Sequence, residues 1–150
     1  MTELMRIRTN LYKNYVKELS AYDDVLSEFD DDWLPDIGGV IWIDIYDESD
    51  IVGFLIIGKN ENDCHPDCDY YICQSYVAPG HREKGLMSQT VSAFLSEHHG
   101  VYGYDVLKRN VYADTFWKNL FKRLGTIPVN LARIRDKKIE DKLFLYGFSI

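Results

Sequence analysis

"SYVAPGHREKGLMSQTVSAFL", residues 75–95, is the stretch on which the fold turns. It opens as an apolar strand, breaks at Pro79-Gly80, collects His81, Arg82, Glu83 and Lys84, and passes Gly85 into an amphipathic helix. Met87, Val91, Phe94, Leu95 and His98 recur on one face of a 3.6-residue period. A helix that starts in such a corner points its N-terminus into the turn. Its first four N–H groups are unpaired and carry about half a positive charge. An end of this kind takes phosphate readily, and Gly85 has no Cβ to obstruct the approach. Arg82 adds a planar charge and Lys84 a mobile one, while Glu83 is expected to face solvent. The corner reads either as a phosphate cradle or as an ordinary solvated connection.

Working outward, "DYYICQSYVA" (69–78) is a strand leading into the corner, and "GVYGYDVLK" (100–108) is a turn and a short strand after the helix. "NVYADTFWKNLFKRLG" (110–125) is a second amphipathic helix, with Ala113, Phe116, Trp117, Leu120, Phe121 and Leu124 on its stripe and Gly125 as its stop. "TIPVNLARIR" (126–135) and "KLFLYGFSI" (142–150) read as closing strands. Upstream, "GGVIWIDIYDESDIVGFLIIGKN" (38–60) predicts a hairpin with strands near 39–46 and 51–58 and "DESD" as its turn. Leu11, Tyr15, Leu19 and Tyr22 predict a first helix, with Thr9 or Asn10 as N-cap, and residues 23–36 suit a second short helix and a loop. The order α, β-hairpin, β, α, β, α, β, β implies an α/β (α+β) domain over residues 1–150, a mixed sheet with helices packed on it.

The 150 residues suit one core. A net charge of −7 argues against a general nucleic-acid binder. The charge is uneven. Residues 1–80 hold 17 acidic and 5 basic side chains, and residues 81–150 hold 7 and 12. No apolar run approaches the roughly 20 residues of a membrane span. "MTELMRIRTNLYKNY" lacks the apolar core of a signal peptide, so a cytoplasmic protein with no membrane partner is expected. Cys64, Cys68 and Cys73 are an odd number and give no disulfide framework. Cys64, His65 and Cys68 lack the paired spacing that structural zinc favours, and no metal is expected.

Two segments together resemble the GNAT family of N-acetyltransferases. "REKGLM" is similar to the family's pyrophosphate-binding Arg/Gln-x-x-Gly-x-Gly/Ala: Arg82 and Gly85 match, and Met87 stands where Gly or Ala is usual. Val77 and Pro79 resemble the end of the family's fourth strand. "NVYADTFW" resembles its Asn-x-x-Ala-x-x-Leu/Phe-Tyr segment, with Asn110, Ala113 and Phe116 in place and Trp117 where Tyr is usual. The resemblance implies a fold in which two central strands splay apart. It implies acetyl-CoA as cofactor, with its pantetheine arm in the gap along Tyr76, Val77 and Ala78. The pyrophosphate would lie on Arg82, Glu83, Lys84, Gly85, Leu86 and Met87, and the arm's far side on Asn110, Ala113, Phe116 and Trp117.

The implied activity is acetyl transfer to a primary amine of a small cationic molecule or a peptide. A noncatalytic acyl-CoA-binding or protein-interaction module on the same fold is the alternative. Direct transfer needs a free amine, a polarised carbonyl and a stabilised thiolate. The family's acid is the Tyr replaced here by Trp117, which leaves Tyr112 or Tyr104 as alternatives. The family's strand carboxylate falls at Tyr71, and Asp69 is the nearest carboxylate, two residues earlier. Asp30, Asp31 and Asp32 beside Trp33 would form an acidic acceptor wall, or a solvated loop. Strand edges near the C-terminus would suit a homodimer.

Overall fold

The computed structural model describes residues 2–22, 40–59, 68–130 and 143–150. The elements are α1 (Glu3–Leu19), β1 (Val40–Asp47), β2 (Asp50–Lys59), β3 (Tyr70–Val77), α2 (Leu86–Glu97), β4 (Val101–Leu107), α3 (Val111–Arg123), β5 (Val129–Asn130) and β6 (Leu143–Ser149). One sheet runs in the order β1-β2-β3-β4-β6-β5. Its ladders are antiparallel except β3–β4, which α2 crosses over to make parallel. The mixed α/β architecture is the one expected. The acidic segment with Asp30, Asp31, Asp32 and Trp33, the loop with Cys64 and His65, and residues 131–142 lie outside the described residues.

Helices cover both sheet faces. On one, Val91, Phe94 and Leu95 of α2 and Trp117, Leu120 and Phe121 of α3 pack on Leu55, Ile57, Ile72, Tyr102, Tyr104, Val106, Tyr146 and Phe148. On the other, Leu11 and Tyr12 of α1 pack on Phe54, Ile56 and Tyr76. Each fully buried large apolar side chain contributes about 1.5–3 kcal/mol.

The first helix starts earlier than its apolar spacing suggested. Thr2, not Thr9 or Asn10, is the N-cap, its hydroxyl accepting the Met5 N–H at 3.2 Å. The turns before Leu11 are largely polar, so periodicity alone placed the start too late. Gly125 is the expected stop of α3. At φ 83 it donates its N–H to Lys122 O, and Thr126 donates to Phe121 O, the double closure of a Schellman end.

Candidate functional site

β3 and β4 begin side by side and then part. They pair only at Tyr70–Ile72 with Tyr102–Tyr104, although β3 continues to Val77 and β4 to Leu107. The cause lies partly in β3 itself. Ile56 and Ile57 of β2 pair with Gln74 and Ile72, so Cys73 is an extra residue, a β-bulge that bends the strand where the pairing stops. The opening holds a cavity of about 270 Å³ between α1 and α3, lined by Tyr15, Gln74, Tyr104, Asp105, Asn110 and Trp117, among others. Two buried polar atoms of its lining, Gln74 Oε1 and the Tyr104 hydroxyl, have no hydrogen-bond partner among the described residues. Unsatisfied groups of this kind cost about 1–3 kcal/mol each, and a ligand with amide groups would satisfy them.

The corner follows directly on the end of β3. After β3, a single 3₁₀ turn over Pro79–His81 leads to Gly85, the N-cap of α2, at φ 77. A Cβ at Gly85 would find only Gln89 Nε2, at 3.9 Å, so the space over the helix end is open. Glu83 is exposed, as expected, and left-handed at φ 65. The basic side chains are already engaged. Arg82 donates Nε–H to Val77 O and Nη2–H to Glu18 Oε2, both at 2.7 Å, and lies over the Tyr76 ring. Lys84 Nζ and His81 Nδ1 both meet Asp47 Oδ2, at 2.6 and 2.7 Å. Lys84 first and His81 second hold the Asp47 carboxyl below its usual range. Two acidic groups from α1 and the hairpin thus stand as counter-ions in the corner.

The sequence profile of the Acetyltransferase (GNAT) family matches residues 3–125, which contain the corner, the parted strands β3 and β4 and all of α1, α2 and α3. The chain belongs to the GNAT acetyltransferase family. Solved structures agree in fold. An acetyltransferase from Thermus thermophilus superposes with a TM-score of 0.62 at 15% identity, over 95% of this chain and 90% of its own. The Paenibacillus lautus diaminobutyrate acetyltransferase, in complex with L-2,4-diaminobutyric acid and coenzyme A, gives 0.61 at 14% identity over 94% and 88%. A GNAT acetyltransferase from Listeria monocytogenes gives 0.61 at 14% over 99% and 88%. A search of curated proteins finds no match.

In this GNAT chain the expected cofactor residues lie at the end of β3, in the corner and on the first turns of α3. Tyr76, Val77 and Ala78 form the outgoing edge of β3, and Val77 also packs with Leu86 and Met87. Met87, where the family has Gly or Ala, thus turns inward. Asn110 caps α3, its Oδ1 accepting the Ala113 N–H at 3.1 Å. Ala113 and Trp117 line the cleft, and Phe116 packs edge-on against Trp117. The three candidate catalytic residues are not brought together. Asp69 is exposed at the start of β3, where Oδ2 accepts the Val101 N–H at 2.8 Å, below the point where the strands part. Tyr112 is 66% exposed on the first turn of α3, near enough to Arg82 to act on its charge.

Tyr71 leads to a residue that sequence reasoning missed. Its hydroxyl donates to Asp105 Oδ2 at 2.6 Å. The ring reaches across β4 because Gly103 has no side chain: a Cβ there would sit 2.9 Å from Tyr71 Cδ2. Asp105 lines the cleft, and burial raises its carboxyl pKa against the lowering effect of the Tyr71 bond. Tyr104, on the opposite sheet face, stands 5.9 Å ring to ring from Trp117, beside the position where the family carries its Tyr.

Proposed function

We propose that this chain is an acetyl-CoA-dependent N-acetyltransferase that acts on a primary amine of a small cationic molecule or a peptide. The observation that carries the reading is the divergence of β3 and β4 beyond Ile72 and Tyr104, together with the open helix end at Gly85 that follows β3 in the chain. The pantetheine arm would lie along Tyr76 to Ala78 as a third strand in the gap, and Gln74 Oε1 would accept from an amide N–H. The α2 N-terminus would hold the pyrophosphate, with Arg82 and Lys84 exchanging Glu18 and Asp47 for phosphate oxygens.

Acetyl-CoA supplies an activated acetyl group as a thioester. Of the two alternatives for the family's missing Tyr, Tyr104 suits the departing sulfur better than the exposed Tyr112. Burial raises its pKa, so the hydroxyl stays protonated and donates a hydrogen bond to developing thiolate. A thiol pKa of about 8.5 makes full proton transfer unnecessary. A cytoplasmic location belongs to the same proposal and rests on the donor; no helix among the described residues is long and apolar enough to cross a membrane. Self-association at β5, where Ile127 and Val129 are exposed, is a further part of it, checked by sedimentation.

The second reading, a noncatalytic acyl-CoA-binding module, draws on the ion-paired state of Arg82 and Lys84 and on the burial of Trp117 at the family's acid position. Thermal unfolding with acetyl-CoA, followed by thiol release with an amine panel, separates the readings. At about 100 times the dissociation constant, binding adds about 2.7 kcal/mol, a rise in Tm of roughly 5–10 °C for this size. A shift with thiol release supports the enzyme, a shift without it supports the module, and no shift removes both.

A further inference from the structure

The structure assigns Asp105 as the group that receives the acceptor's ammonium and takes its proton, with Tyr71 as the residue that positions it. This deepens the acyl-transfer reading of the cleft and rests on it. Asp105 is the carboxylate among the cleft-lining described residues. It sits on the sheet face that α1 covers, opposite Tyr104, so an amine held there and a thioester held against Tyr104 would meet across the parted strands. Leu19, Leu107 and Leu143 line the same cavity. The acceptor class these residues fit is a primary alkylammonium on an apolar shank.

The groups facing Asp105 are consistent with this role. From β3 come the Tyr71 hydroxyl and the Cys73 thiol, and from α1 the Tyr15 hydroxyl, whose pKa is raised chiefly by burial and then by Asp105. From β6, Leu145 pairs opposite, and α3 offers the uncharged Asn110. No cation of the described cleft lining competes for the carboxylate. A substrate ammonium would supply the missing partner, and burial, by raising the carboxyl pKa, makes Asp105 a better proton acceptor than a surface aspartate.

The step balances. The carboxylate takes one proton from the ammonium, and the freed nitrogen lone pair forms the C–N bond to the thioester carbonyl carbon. The C–S bond breaks with its electron pair going to sulfur. The proton lost from nitrogen as the amide forms leaves by water or returns to the thiolate.

The test uses the full chain with propylamine as acceptor, and Asp105→Asn and Tyr71→Phe as variants. Asp105→Asn is expected to lower kcat by about 10²–10⁴-fold, with the acetyl-CoA thermal shift retained. Tyr71→Phe is expected to move the acid limb of kcat/KM to higher pH, because the lost O–H donor had held the carboxyl pKa down; a merely structural tyrosine would lower activity without moving that limb. A kcat within threefold of wild type in Asp105→Asn, or an unmoved limb in Tyr71→Phe, overturns the assignment. Should the wild-type protein release no thiol, the acyl-transfer reading fails separately, and the carbon-13 resonance of the Asp105 carboxyl then decides. Propylammonium chloride is expected to lower its titration midpoint, and an unchanged midpoint overturns the ammonium site.

Discussion

Arg82 donates its Nε–H to the carbonyl oxygen of Val77, five residues back along the chain, at 2.7 Å. The bond folds the corner onto the end of β3, and the second bond to Glu18 ties it to α1. Arg82→Lys keeps the charge but cannot make both bonds in a planar fork. Charge-assisted bonds are worth about 1.5–3 kcal/mol, so a loss of roughly 3–10 °C in Tm is expected. Differential scanning fluorimetry checks it, and an unchanged Tm would mean that the corner holds its shape without Arg82.

Gly85 separates conformational from ligand demands. It sits at φ 77 with open space above it, so Gly85→Ala is expected to cost only the left-handed backbone penalty of about 1–2 kcal/mol. Gly85→Asp places a carboxylate over the helix end and is expected to abolish the acetyl-CoA thermal shift as well. Equal acetyl-CoA shifts in the two variants would put the pyrophosphate elsewhere.

What the sequence made legible is what is local. The spacing from Met87 to Leu95 marked α2, Asn110 and Gly125 bracketed α3, and "DESD" became the turn joining Asp47 to Asp50. The splay itself came only from the family resemblance. What stayed hidden depends on partners distant in the chain. Asp105 looks like any alternating strand residue until Tyr71, 34 positions away, crosses Gly103 to reach it. The bulge at Cys73 leaves no mark in an apolar run. No local pattern foretells that Glu18 and Asp47 meet the corner's cations.

Asp47→Asn tests those counter-ions. It removes the negative charge shared by Lys84 and His81, leaving both for phosphate. Acetyl-CoA is expected to bind a few-fold more tightly, with the gain fading as salt rises. Isothermal titration at two ionic strengths checks this; unchanged or weaker affinity would mean that Asp47 orders the corner for its ligand.

Gly103→Ala tests how Tyr71 is placed. The new Cβ would meet Cys68 Sγ at 2.8 Å and the Tyr71 ring at 2.9 Å, too close for either to stay. Overpacking of this kind costs about 1–3 kcal/mol. The variant is expected to lose stability and to move the acid limb of the pH–rate profile upward, as Tyr71→Phe does. A stability loss with the limb in place would show that Tyr71 keeps its hydroxyl on Asp105 after the ring shifts.

Asp105→Asn makes the sharpest distinction between a structural and a functional carboxylate. The folded-state pKa of Asp105 is raised, chiefly by burial, so above that pKa the ionised group is disfavoured in the folded state relative to the unfolded one. Lowering the pH from there toward the unfolded value of about 3.9 lets the folded protein bind the proton first and gain stability. The asparagine is neutral throughout and still accepts the Tyr71 hydroxyl. The variant is therefore expected to melt higher than wild type at pH 7, with the gain shrinking as the pH approaches about 4. Asp47 behaves oppositely: its depressed pKa gives stability that is present above about pH 4 and lost as the pH falls through the folded value. Melting curves from pH 2 to 8 for wild type and both variants measure the two signs side by side. A lower Tm for Asp105→Asn at pH 7 would mean that the carboxylate serves the fold, whereas a higher Tm together with lost turnover marks a buried charge retained for chemistry at the expense of stability.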